Sequence, residues 1–352
     1  MIQSLSCSTL LRFPASVPVV LMAAWLAVAD TTTGQEPGTN RADEPMAGKF
    51  SRERALAFAD TAARQWQAQR NCVTCHTNGL YLLARSRGGD SPAYAEARDF
   101  ARHYLKQFID DKQQPRGQRG SVEGIVSTTA YLAIAEQRVD GQLSPETTRY
   151  FEHIWELQDE SGCWDWLKCN WPPFEVDDHY GATLVAIACG EVEAGQMESP
   201  AVRQGMARLR SYLQTTEPQN LHQKTMMLWA ACGFEGIVDS QTRTRWLREL
   251  LEARQADGGW STAELGSGTW PRPEGTGQDP SSDAYATALA IYVAHRNGIS
   301  LDHVALAEGL VWLKQNQRES GRWFVRSLRS DNYHFISHAA TNMALLALSL
   351  EP

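Results

Sequence analysis

From Phe50 to the C-terminus, one arrangement of hydrophobic and polar positions recurs. A segment with an apolar residue every three or four positions leads into a polar loop. A second segment follows that is apolar on nearly every face. In 201–214 the stripe is Val202, Met206, Leu209 and Leu213. Before Gln255 it is Trp246, Leu247, Leu250 and Leu251, and before Gln317 it is Leu306, Leu310 and Leu313. That spacing places each set on one side of a helix. Further one-sided helices are predicted at 52–69, 95–108 and 146–157. Segments of the second kind, such as ATLVAIAC from Ala182 and AYATALAIYVA from Ala284, have no polar face and predict helices covered all round. They are expected at 78–85, 123–136, 179–189, 221–232, 283–295 and 335–350. Six pairs in a straight solenoid would leave buried helices open at the ends and would need polar capping repeats, and no such repeat is present. Closing the pairs into a ring puts each buried helix inside and each one-sided helix outside. The expected fold is all-α, a single (α/α)6 toroid of six helical hairpins over residues 50–352.

Three loops between an outer and an inner helix share a signature. Gln158-x-x-x-Gly162-x-Trp164 and Gln317-x-x-x-Gly321-x-Trp323 match fully, and Arg254-Gln-Ala-Asp257-Gly258-Gly259-Trp260 has Arg at the first position. Gln can bond the turn backbone, Gly supplies the unusual dihedral, and Trp packs over the helix end. These loops resemble the QW repeats of the squalene-hopene cyclase and prenyltransferase superfamily, which implies an α/α toroid around a hydrophobic cavity. Squalene cyclases have two such barrels, and this chain has length for one. Their acid motif, Asp-x-Asp-Asp, is nearest to Glu175-Val176-Asp177-Asp178. The resemblance makes Glu175, Asp177 and Asp178 the candidate catalytic acids of a terpene cyclase or isomerase, since clustered carboxylates can hold a proton. The alternative is helix capping, because an acidic residue at a helix start satisfies free N–H groups; Ser282-Asp283 occupies the same place in a later repeat without a cluster. Protein prenyltransferases hold zinc with Asp, Cys and His, and here Asp283-Ala284-Tyr285 lacks the thiolate. Some polysaccharide lyases also use a toroid, and Arg272 and Arg296 are compatible with that.

Length and charge narrow the classes. The 352 residues suffice for one large core, and a formal charge of −8 without a Lys/Arg cluster argues against a nucleic-acid partner. Residues 1–29 read as a signal peptide: Arg12, an apolar run from Pro14, and small residues ending at Ala29. The protein is expected to be periplasmic or secreted, with no membrane span in the mature chain and at most peripheral membrane contact. Residues 30–49 are polar and rich in Gly and Pro, the composition of a flexible linker. Cysteine pairing is permitted in that compartment, and Cys163 and Cys169 are close enough in sequence to pair.

Cys72-Val73-Thr74-Cys75-His76 carries the sharpest chemistry. In an exported protein Cys-x-x-Cys-His reads as a c-type haem attachment site, with the two thiols bonded to the haem vinyls and His76 on the iron. A local disulfide, or a metal site using His76, are the alternatives. Met226, Met227 and His222, at another inner-helix start, are candidate sixth ligands. If haem is present, a redox partner follows. At the starts of inner helices stand Tyr180, Tyr285, Tyr333 and Phe335, with Trp171 in a preceding loop. In a toroid these gather at one mouth, where aromatic walls suit an isoprenoid-like or other apolar ligand. His179, His334 and His338 fall in the same region. The expected function is an exported toroid that binds a hydrophobic molecule and possesses a haem or redox function. An enzyme acting at the toroid mouth and a haem-bearing interaction scaffold are the other readings.

Overall fold

The computed structural model describes residues 41–70, 73, 76–88, 91–113, 120–272, 275–331 and 335–352. Among them the regular elements are helical, with only isolated β-bridges. The outer helices are α1 (Arg52–Arg70), α3 (Pro92–Leu105), α5 (Pro145–His153), α7 (Pro200–Thr215), α9 (Ser240–Glu252) and α12 (Val304–Gln315). The inner helices are α2 (Asn78–Arg85), α4 (Gly120–Asp140), α6 (Asp178–Glu191), α8 (Leu221–Ala230), α11 (Ala284–Arg296) and α13 (Ile336–Leu348). A one-turn helix, α10 (Thr262–Leu265), lies in the loop before α11. Inner helices pack in the order α2, α4, α6, α8, α11, α13, and α13 returns to α2. The protein is an all-α toroid, as the sequence pattern predicts. No described helix is long and apolar enough to cross a membrane.

Sequence fixes where the outer helices begin. Ser91, Ser144 and Ser199 each precede a proline and accept an N–H from the first turn of α3, α5 and α7. The serine satisfies an orphan donor, and proline at the first helical position loses no bond. The ends of the outer helices are set by the three signature loops. The indole N–H groups of Trp164, Trp260 and Trp323 each donate over 2.7 Å to a helix-end carbonyl, those of Ile154, Leu250 and Leu313. Gly162, Gly258 and Gly321 have φ of 96°, 95° and 94°, in the left-handed region. A Cβ on Gly162 would strike the Arg208 carbonyl of α7, and one on Gly321 the Arg54 carbonyl of α1. Each loop therefore lies directly on the next outer helix. Where the third loop has Arg254 instead of Gln, the guanidinium pairs with Glu308 of α12 and makes the link by charge.

Two expectations are corrected. The linker expected over 30–49 is fixed over 41–49, while residues 1–40, including the expected signal peptide, lie outside the described residues. Met46 forms an antiparallel bridge with Arg318, and the Ala47 N–H donates to the Gln317 carbonyl over 2.7 Å. Glu44 pairs with buried Arg322. These backbone bonds and the shielded ion pair offset the entropy of ordering a polar segment. Cys163 and Cys169 are both free thiols. The Cys163 thiol instead donates to Asp159 over 3.2 Å, within the turn that the Gln158 loop builds.

Candidate functional site at the toroid mouth

The N-terminal ends of the inner helices meet at one end of the ring. Asp177, Asn220 and Asp283 cap α6, α8 and α11 in turn, each through its side-chain oxygen. Two positions after each cap stand His179, His222 and Tyr285, so repeat geometry brings these three side chains to equivalent places. Neighbouring ends are also tied to each other. Gln223 Nε2 donates to the outer oxygen of Asp177 over 2.8 Å, linking α8 to α6.

The three candidate carboxylates have different surroundings. Asp177 accepts the His179 and Tyr180 N–H groups at 3.0 and 3.3 Å as well as the Gln223 amide. Asp178 accepts the Trp166 N–H at 3.0 Å and pairs with Lys168 at 2.6 Å. Both therefore hold the helix start and the preceding loop, the capping alternative. Glu175 stands apart. Burial pushes its carboxyl up to about 7, against the pull of the nearby Arg329 charge. Burial also raises Asp283 to about 6, although Thr262 supplies it with N–H and O–H donors.

His76 is placed among aromatic rings. Its imidazole stacks on Phe335 at 5.4 Å and 16° and lies near-parallel to Trp171 at 6.5 Å. Trp66 of α1 meets it edge-on at 5.2 Å, and Phe174 lies tilted at 6.1 Å. Phe174 also touches the edges of Tyr180 and Tyr285. Burial, with His338 and Arg70 adding to it, pushes His76 down to about 3, so the ring is neutral at physiological pH. His76 Nδ1 lies 3.0 Å from the Thr77 hydroxyl. Arg70 sits over Trp66 and Arg329 over Trp171, placing two cations at the margin of the cluster. Cys72, Cys75, Tyr333 and His334 lie outside the described residues. His338 meets Phe58 edge-on, and desolvation together with the Arg322 charge holds it neutral.

The aromatic residues expected to line a hollow thus come together, but they pack on one another. The space on the axis between Leu80, Tyr131, Tyr180, Met226, Trp229 and Tyr285 measures about 10 Å³. The crevice beside His76, under Trp171 and Phe174, is also about 10 Å³. Such a volume holds about one water molecule at most. The loop 171–174 acts as a stopper over the axis. A wider cleft of about 320 Å³ lies beside the mouth, between Asp279, Ser282, Arg318, Phe324 and Arg326. Phe174 and Trp66, which join the cluster together, were not singled out from the sequence. Their signal was the aromatic density of the loop before α6 and the last turn of α1. The candidate sixth ligands lie elsewhere at this end: Met226 lines the space on the axis, His222 bonds Tyr285 through Nε2, and Met227 is buried in α8. Among the described residues no three His, Cys, Asp or Glu side chains form a metal-binding group, so His76 has no such set there.

No family model matches the chain, and no curated protein matches it. It is similar to a solved structure described as a glycosidase, with a TM-score of 0.52 and 12% identity, over 84% of this chain and 96% of that one. A weaker likeness, with a TM-score of 0.32 and 14% identity, covers 85% of this chain and 81% of a possible GH105 family member from Klebsiella pneumoniae. It carries no weight here. At 12% identity the first likeness concerns the backbone alone: this chain has the α/α toroid fold.

Proposed function

We propose that the protein is an exported, squalene-cyclase-like toroid that carries covalent haem at Cys72 and Cys75, with His76 as iron ligand, and takes an isoprenoid-like or other apolar molecule at its mouth. The observation that carries this reading is the state of His76. A neutral imidazole set among Trp66, Trp171, Phe174 and Phe335 has the protonation and the apolar surroundings that iron ligation requires, and a porphyrin would take the place that Trp171 and Phe335 now occupy against the ring. The Thr77 hydroxyl beside Nδ1 fixes the ring's orientation, the outer-shell role that keeps a ligating histidine aimed. Arg70 and Arg329 at the margin suit the haem propionates. Haem supplies one-electron transfer when bound, and a redox partner would then dock at this end. The apolar ligand requires the 171–174 stopper to swing aside. Tyr180, Tyr285 and Phe335 would then form its walls.

Expression in cells able to mature c-type cytochromes tests the haem. The expected result is a Soret band that survives acid-acetone extraction in the wild type and is lost in Cys72→Ser/Cys75→Ser. A colourless protein from such cells would remove the redox reading. Solvent extraction and mass spectrometry of the purified protein test the apolar ligand.

Glu175 favours a second reading, an enzyme working at the mouth on a carbohydrate or a terpene. A carboxyl poised near 7 can donate a proton at neutral pH, which glycoside cleavage and cyclisation both need. A panel of oligosaccharides and polyprenyl substrates, with Glu175→Gln as control, separates it from the first. Turnover that the variant retains would discard Glu175 as the acid.

A further inference from the structure

We propose that His179, His222 and Met226 form a binding site for a soft monovalent metal ion, Cu(I). The three side chains line one narrow crevice at the mouth together with Trp270 and Pro173, too tight to hold a water molecule. His179 is 3% exposed, and neither of its ring nitrogens has a hydrogen-bond partner. A buried imidazole without hydrogen-bond partners forfeits its hydration and gains nothing in return, so its placement there needs a physical cause. A ligand in the crevice supplies one.

The neighbours are arranged as a metal's outer shell would be. Tyr285 bonds His222 at Nε2 over 3.1 Å and stacks on its ring at 22°. Nδ1 is the nitrogen not engaged by that bond. Met226 follows His222 by four residues on α8, so the thioether lies on the same face one turn further on. The Asp177–Gln223 bond fixes α6 against α8 and with them the spacing of the two histidines.

The donor set selects the ion. Two neutral imidazoles and a thioether are soft ligands, which suit Cu(I), whereas hard divalent ions require carboxylates or water. The described residues contain no group of three His, Cys, Asp or Glu that would hold zinc. The positive ends of α6 and α8 face this point and oppose a cation. The cost of burying charge rises steeply with its magnitude, so a single charge is tolerated where a double one is not. The Asp177 carboxylate, at the rim of the crevice, offsets part of that field.

The test uses the full-length exported protein with Cys72→Ser/Cys75→Ser, so that neither thiol can hold copper and haem cannot attach. Anaerobic titration against a coloured Cu(I) chelator should show one equivalent of Cu(I) retained. His179→Ala and the volume-conserving Met226→Leu should each weaken retention by at least about tenfold. Zn(II) should not be retained. No retained Cu(I), retention in either variant unchanged from the parent protein, or equal binding of Zn(II) would each overturn the proposal. Near-UV circular dichroism of Met226→Leu confirms that the core is intact. Because Cys72 and Cys75 are replaced, the outcome is independent of whether the wild type carries haem, and the loss of retention in His179→Ala and Met226→Leu separates the crevice from the remaining free thiols.

Discussion

Gln317, in the last signature loop, exchanges hydrogen bonds with the backbone of Ser51, at the start of the first outer helix. Its Nε2 donates to the Ser51 carbonyl over 2.9 Å, and its Oε1 accepts the Ser51 N–H over 2.7 Å. The same amide group also donates to the Gly321 carbonyl over 3.0 Å. The side chain is wholly buried, so the end of the chain is stitched to its beginning with no water in competition.

Gln317→Ala should therefore loosen the seam of the ring. Three buried bonds at about 1 kcal/mol each suggest a loss of about 3 kcal/mol. Gln158 makes the corresponding link to Gly205 of α7, which is interior to the ring. Gln158→Ala should cost a similar amount in thermal unfolding. Hydrogen exchange should accelerate in α1 only for Gln317→Ala, and equal exchange of α1 in both variants would refute a specific seam.

Replacing each signature tryptophan by phenylalanine keeps the ring contact and removes the N–H. Trp164→Phe, Trp260→Phe and Trp323→Phe should each lose about 1–3 kcal/mol, because a buried helix-end carbonyl loses its donor. Denaturant titration should rank the three as near equals, since the three bonds have the same length.

The glycines should not be equal. Alanine at Gly162 or Gly321 meets both a left-handed φ and the backbone of the next outer helix. At Gly258 the φ is the same, but the nearest atom to a Cβ is the Glu308 carbonyl oxygen at 3.3 Å, a contact that a small shift relieves. Gly258→Ala should be the mildest, at about 1 kcal/mol for the dihedral, with the other two distinctly worse. Chemical denaturation of the three variants checks the order.

The stability of the protein free of haem and copper should fall in mild acid. His76, His179, His222 and His338 have folded pKa values pushed to about 3 to 4, below the unfolded value near 6.5. Between those limits the unfolded chain binds more protons, so each histidine removes up to about 1.4 kcal/mol per pH unit as pH drops. Glu175 and Asp283 act the other way. Their folded values are raised to about 7 and about 6, so their contribution is lost as pH rises through those values. Four groups outweigh two, and the melting temperature should decline from pH 6.5 towards 4.5. A melting temperature that rises over that range would contradict the buried neutral histidines.

The inner helices were legible because a segment such as 284–294 has no polar face, and only full burial accommodates that. The seam was not read from Gln317, whose role needs Ser51, 266 residues away. The capping role of Asp177 was legible as one of two possibilities. Glu175 could not be separated from its neighbours, because its raised pKa comes from burial within a loop whose path no local pattern specifies. Periodicity placed the start of α3 at 95, whereas the serine–proline step at Ser91 starts it at Pro92.

By itself the sequence determined the repeating hairpins, the inside and outside of the ring, and the three loops that terminate outer helices, because periodicity and turn chemistry are properties of neighbouring residues. Only the tertiary structure decided that Phe174 and Trp171 fill the mouth, that residues 41–49 are pinned by Arg318 and Arg322, and that His179 is buried without a partner. Those depend on which surfaces from distant parts of the chain arrive at the same place, and packing volume and desolvation are set only there.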